Sequence, residues 1–429
     1  MSIRFLLLVV VLFGTTTLYA KYFSFSHVHQ MPKSIEKDYY IWRFLLQKST
    51  TPLEAATIIS EVTKLNKKLR TAYKNKTGLA PNIYYNTKGT STLHRKGPST
   101  WKIRHHAKKN FNKGLALMKE RRAEEAAKYF ETARLYYTKR EDIDKALFWL
   151  YLSTNSMKYL KALRQSHDVN IYTLMAADSM KARYPKTITE HIKERSYLDH
   201  FDITDPIAWA KTKKQIRSSH NLESLAEEYK SQESIGIYTY IKAKASKFKD
   251  IYFPMPYRDA LKEMPKKRQA LIYAIARQES RFVPASVSRS FALGMMQFMP
   301  FLIRHIAKQK GEKIDLDEIF NPYKAIEYAN THLDYLTTYL HHPLFIAYAY
   351  NGGIGFTKRY IQNHFRKGAY EPYMSMETMK NEETREYGKK VFANYIIYLN
   401  KLGVKTRIFP LLRILATPEK TDKFRKATP

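Results

Sequence analysis

Residues 269–280 read QALIYAIARQES. At about 100° per residue, with Leu271 as zero, Ile275 falls at about 40°, Glu279 at about 80° and Ile272 at about 100°. The stretch is therefore a helix, and Glu279 sits inside its apolar stripe. A carboxylate facing a core or a cleft costs several kcal/mol unless it is paired or protonated. One reading pairs it with Arg277, Arg281 or another arginine brought in by the fold. The other gives the carboxyl a chemical task. Val283-Pro284 stops the helix soon after Glu279, so the residue lies at the negative end of the helix dipole. Burial and dipole both raise a carboxyl pKa, which suits a general acid near neutral pH.

Working outward, the surroundings are helical too. Asn321-Pro322 supplies a capping side chain and a first-turn proline ahead of Ile326, Ala329, Leu333, Leu336 and Leu340, which share a face. Pro300 opens a helix over 301–310, and Tyr387, Val391, Asn394, Tyr398 and Leu402 mark another, stopped by Gly403. Upstream, Phe253-Pro254-Met255-Pro256-Tyr257 cannot continue a helix and marks a domain boundary. Before it the chain reads as helices, clearest from Phe111 to Met157. There Gly114-Leu115 and Ala126-x-x-x-Phe130 resemble a fragment of the tetratricopeptide pattern; ordinary antiparallel helix pairs read equally well. The polar stretch Gly78 to Pro98 is expected to be a surface loop. The expectation is an all-α protein: a signal peptide (1–20), an α-solenoid or superhelical region (21–250), an α-helical catalytic domain (251–403) and a basic, weakly patterned tail (404–429).

The 429 residues carry a formal net charge of +35. Such a chain attracts anionic partners: nucleic acid, a membrane surface or an acidic polymer. Solvated helix faces are the plain alternative. Arg4, the apolar run Phe5–Phe13 and Leu18-Tyr19-Ala20 form a signal-peptide pattern, too short for a membrane span. Export to the periplasm argues against nucleic acid. With no cysteine there is no disulfide, thiolate metal site or lipid-anchoring thiol, and no HExxH-type ligand set suggests a metal. His341-His342 reads as a polar helix end. Trp42, Trp101, Trp149 and Trp209 all precede the catalytic region, so stacking on a ligand there falls to Tyr and Phe.

From Glu279 the sequence runs ESRFVPASVSRSFALGMMQFMP. This resembles the signature of the lytic transglycosylases, lysozyme-like enzymes of peptidoglycan. The matching residues are Glu279, Ser280, Phe282, Pro284, Ser288, Ala292, Gly294, Met296, Gln297, Met299 and Pro300, without a gap. Ala349-Tyr350-Asn351-Gly352-Gly353 resembles the family's A-Y-N-A-G, and Glu383-Thr384-Arg385 with Tyr387 its E-T-R-x-Y. The resemblance spans about Tyr252 to Gly403 and is similar to the long soluble members of the family.

It implies a lysozyme-like catalytic domain that cleaves the MurNAc-β-1,4-GlcNAc bond and leaves 1,6-anhydroMurNAc ends, with no metal or other cofactor. Glu279 would be the catalytic acid and base. Tyr350 would lie beside it, Asn351 would bind substrate, Ser288 and Gln297 would contact the muramoyl sugar and its N-acetyl group, Met299 would line the cleft, and Glu383 would help hold the peptide stem. Peptidoglycan strands are the implied partner, with cell-wall synthesis proteins as further candidates. Three positions depart from the pattern: Phe291 stands where glycine is usual, Met295 for leucine and Gly352 for alanine. The bulky Phe291 calls the local turn into question. Gln232-Glu233-Ser234 repeats the Q-E-S triplet without the ladder that should follow, and Glu233 is read as structural. A lysozyme-like hydrolase and a non-catalytic wall-binding scaffold are the competing readings.

Overall fold

The computed structural model describes residues 21–81, 100–193 and 196–426. The signal-peptide reading, and most of the expected loop after Gly78, lie outside the described residues. Within them the protein is all-α: 22 α-helices, three short 3-10 helices and no strand, only isolated bridges. No described helix is long and apolar enough to cross a membrane.

The first part is a succession of antiparallel helices. Thr100–Lys119, Ala123–Tyr136 and Arg140–Thr154 pack in sequence, the first pair turning at Arg121, whose φ is 60°. Gly114 lets the pair close: a Cβ there would stand 2.6 Å from the Phe130 ring. Phe130 in turn packs against Phe111 and Trp149. Trp42, Trp149 and Trp209 are core residues. Trp101 is exposed and stacks on His105.

The proline segment after Asp250 is extended, pairing Tyr252 with Ile188. Prolines offer only carbonyls to their surroundings, and two of these carbonyls are used: Tyr398 donates to Pro254 O and Tyr273 to Pro256 O, each at 3.0 Å. The Lys266–Glu279 helix follows and packs along the Glu382–Lys401 helix, the longest contact of the second part. Pro343–Gly352 crosses the same helix at Gly388, where a Cβ would fall 2.1 Å from the Tyr348 ring. The caps read from sequence hold: the Asn321 side chain accepts from the amides of Tyr323 and Lys324.

The chain's first helices return to the second part. Arg43, on Ile35–Leu46, pairs with Asp315 at 2.7 Å and with Asp317 at 2.9 Å. Phe291 belongs to this contact. Its φ of 60° is the left-handed conformation for which glycine is best suited, so the turn survives the substitution. Its ring is fully buried, 5.6 Å from the Trp42 ring and 6.0 Å from that of Tyr39, and this burial offsets the backbone strain.

Residues 404–426, read from sequence as a trailing tail, pack into the fold. The short helix Ile408–Arg413 buries Ile408 and Leu412, the 3-10 turn Ile414–Ala416 buries Leu415, and the helix Pro418–Thr421 buries Pro418 and Thr421. Arg407 pairs with Asp178 at 2.8 Å. Arg425 is buried with Asp422 and donates to the carbonyls of Phe365 and Leu415. The contacts with Asp178 and Phe365 lie far away in sequence, which is why local patterning could not show them.

Candidate active site

Glu279 is the last residue of its helix. The turn beyond it is tight, since Arg281 and Phe282 both have positive φ (56° and 65°), and the Ser280 hydroxyl fixes it by donating to Met295 O at 2.8 Å. The helix therefore ends before Val283-Pro284 is reached. Neither neighbouring arginine pairs with the carboxylate. Arg277 donates to Tyr252 O and Asn394 Oδ1 and lies 3.9 Å from the Phe253 ring centroid. Arg281 lies over the rings of Tyr240 and Phe248. Glu279 instead accepts a hydrogen bond from the Tyr387 hydroxyl, 2.7 Å from Oε1. Burial raises its pKa to about 7; the Tyr387 hydrogen bond pulls the other way, and the negative charge of Glu383 adds to the rise. A carboxyl whose pKa lies near neutrality has both forms within reach, so it can give a proton and then take one back.

The E-T-R-x-Y stretch lies in the first turns of the Glu382–Lys401 helix, where its residues have separate tasks. Glu383 is exposed with its charge felt at Glu279. Four residues on, so on the same helix face, Tyr387 reaches the carboxylate. Thr384 donates to Asn351 Oδ1 at 2.8 Å, so Asn351 ties the Pro343–Gly352 helix to this one. Gly352 fits this joint: a Cβ would meet Thr384 Oγ1 at 2.8 Å.

Tyr350 donates to Met296 O at 3.0 Å; burial, and after it the charge of Glu279, push its phenol pKa well above the ordinary value. Ser280 and Tyr350 together pin the loop at Met295 and Met296. Gly294 in that loop has φ 76°, with Ile319 O 2.5 Å from where a Cβ would be. Gln297, also at positive φ, donates its amide nitrogen to Ser286 O and Gly294 O, which leaves the amide oxygen for a ligand. The Ser288 hydroxyl accepts from the Ala292 amide at 2.9 Å. Met299, partly exposed, caps the Pro300–Gln309 helix. Neither Ser288 nor Gln297 hydrogen-bonds to Glu279; both are held in the adjoining loop.

Tyr387 belongs to the E-T-R-x-Y stretch but is not among the site residues that the resemblance implies. Its four-residue spacing from Glu383 is the sequence signal that points to it. A run of aromatic rings also leads away from Tyr350: His332 lies 5.5 Å from it, Tyr335 6.2 Å beyond, Tyr339 5.9 Å further and Phe424 5.6 Å further still. Tyr335 and Tyr339 are 45% and 37% exposed, open enough for a sugar face to stack. His342 is a structural cap, its Nδ1 accepting from the Leu344 amide and its Nε2 3.0 Å from Leu411 O; burial holds its pKa down at about 3. Among the described residues no group of His, Asp or Glu is arranged to hold a metal. Glu233 accepts at its backbone carbonyl from the Tyr257 hydroxyl.

Residues 256–372 match the family described as Transglycosylase SLT domain. The soluble lytic murein transglycosylases of Salmonella typhimurium (strain LT2) and Escherichia coli (strain K12) are 28% and 29% identical over 159 residues. That segment is 36% of this chain and 24% of each relative, so the match spans about a quarter of their length. The crystal structure of the 70-kDa soluble lytic transglycosylase of Escherichia coli superposes with a TM-score of 0.50 at 18% identity, covering 86% of this chain and 66% of that one. This likeness is one of fold, and it extends through the helical first part. The segment that matches the transglycosylase SLT domain family, residues 256–372, is the one that contains Glu279, the loop beyond it and Tyr350.

Proposed function

We propose that the protein is an exported lytic transglycosylase acting on peptidoglycan in the periplasm, with Glu279 as its single acid and base. The observation that carries this reading is the state of Glu279: a carboxyl with no cationic partner among the described residues, held by one phenol, with a pKa of about 7. The protonated acid gives its proton to the oxygen between MurNAc and GlcNAc, and that C–O bond breaks. The N-acetyl group of MurNAc stabilises the oxocarbenium-like centre. Ionised Glu279 then takes the proton of the MurNAc C6 hydroxyl, whose oxygen closes onto C1, restoring the acid. The C6 hydroxyl is tethered to the reacting sugar, so its effective concentration far exceeds that of an unpositioned nucleophile. Gln297 and Ser288 would orient the sugar, Tyr335 and Tyr339 would stack along the strand, and Glu383 would meet the peptide stem. The cationic surface would hold the protein on an anionic wall, more weakly as salt rises.

Glu383 favours a second reading. A second carboxylate whose charge is felt at Glu279 could activate water, as in hydrolases that use a carboxyl pair. Mass spectrometry of digested peptidoglycan separates the two. Muropeptides ending in 1,6-anhydroMurNAc, each lighter by one water, are expected; reducing MurNAc ends would make the enzyme a hydrolase, and no soluble product would leave a wall-binding scaffold.

A further inference from the structure

Across the Lys266–Glu279 helix from Glu279 lies a cavity of about 410 Å³, walled by both parts of the chain. Arg277 stands about 160° round the helix from Glu279, so this space is not the cleft at Glu279. Its other wall includes Thr239, Tyr240 and Ala243 of the Ile235–Ala245 helix. That helix is drawn against the turn after Glu279 at Gly236, where a Cβ would stand 2.5 Å from Phe282 O.

Two guanidinium groups line the cavity without a carboxylate partner. Arg277 uses Nε and Nη1 on a carbonyl and an amide oxygen, and its Nη2 donates to nothing among the described residues. Arg281 makes no hydrogen bond or ion pair among them, only the two ring contacts. The carboxylates that share the lining are engaged elsewhere or lie outside ion-pair distance. Glu141 pairs with Lys390 at 3.1 Å, and Asp168 accepts from the Val169 amide and the Asn170 side chain. Asp250 is exposed. Lys139 adds an exposed cation at the rim. Arg277 is half-buried and Arg281 is exposed at the rim; crowding by the protein lowers the pKa of both, that of Arg277 to about 10, against the opposing pull of the Asp168 charge on Arg277.

We propose that this cavity is a second binding site, for a small ligand carrying an oxyanion, carboxylate or phosphate, gripped by Arg277 and Arg281. A planar guanidinium donates two parallel hydrogen bonds to such a group, and the volume lies within the range of small-molecule sites. The rings of Tyr240 and Phe248, already under Arg281, would close over the rest of the ligand. Because the ligand would join the helical part to the helix that carries Glu279, binding would stiffen the junction between them. The proposal does not depend on what Glu279 does.

Thermal melting of the full chain tests it, with inorganic phosphate and D-alanyl-D-alanine as separate probes and potassium chloride at matched ionic strength as the reference. A saturable rise in Tm above the chloride reference is expected with at least one probe, lost in Arg281→Gln and largely kept in Arg281→Lys. Response to phosphate alone assigns a phosphoryl ligand; response to the dipeptide alone assigns a carboxylate; response to both leaves the oxyanion as the common element. Lys139→Gln, an exposed change that leaves folding intact, should raise the half-saturating concentration several-fold and serves if Arg281→Gln does not fold. No rise over chloride with either probe, or rises unchanged in the Arg281→Gln and Lys139→Gln variants, would overturn the proposal.

Discussion

The Tyr387 hydroxyl stands 2.7 Å from Oε1 of Glu279, and it is the hydrogen-bond partner that the carboxylate has among the described residues. Burial favours the neutral acid, while the phenol favours the anion. The balance near pH 7 lets one group serve at both ends of a reaction, and it is adjustable at a single atom.

Removing that atom should show it. In Tyr387→Phe the carboxylate loses a hydrogen bond, an interaction worth about 1.5–3 kcal/mol for a charged partner, so the pKa of Glu279 should rise by about one unit or more. The alkaline limb of the rate profile on purified sacculi should move up by the same amount, with a lower maximum. A reduced rate with an unmoved profile would mean that Tyr387 serves packing alone.

Glu279→Gln should lower turnover by at least ~10³-fold, within the range attributed to general acid–base groups, with wall binding retained; zymography on sacculi reads it. The same variant reports on stability. The folded pKa of about 7 lies above the reference value of 4.5, so the native state keeps a proton that the unfolded chain has lost. Stability from this group is complete below about pH 4.5 and fades as pH rises through 7. Glu279→Gln should therefore melt with the wild type at pH 4 and above it at pH 8. Equal melting at both would contradict a buried, raised carboxyl.

Phe291→Ala should destabilise the protein by about 3 kcal/mol in urea unfolding, as for other buried phenylalanines, and should alter the fluorescence of Trp42, 5.6 Å away. Specific activity of the folded fraction should change little, because the ring points into the contact with the Ile35–Leu46 helix. A large loss of activity without loss of stability would place Phe291 in the cleft instead.

Tyr335→Ala should raise KM roughly 3- to 10-fold with kcat nearly unchanged, matching about 0.5–1.5 kcal/mol for an aromatic contact. Long glycan strands should show the effect more than short fragments, since the ring run from His332 to Phe424 leads away from Tyr350. A fall in kcat alone would argue against a stacking role.

The sequence by itself determined the helices and the identity of the central carboxyl. Periodicity placed Glu279 on an apolar stripe, Asn321-Pro322 and Gly403 marked helix ends, and the ungapped run from Glu279 to Pro300 pointed to the chemistry, because these features are local and each residue's neighbours along the chain suffice to define them. Tertiary structure alone decided which groups meet. It turned Arg277 and Arg281 away from Glu279 and brought in Tyr387 from 108 residues further on. It assigned Asn351 to a helix joint, filled the Phe291 position with the Trp42 contact and folded residues 404–426 against Asp178 and Phe365. A helical pattern says which face of a segment turns inward, but not which other face it meets. That choice depends on packing between distant segments, and it sets both the burial and the partners from which the pKa of Glu279 follows.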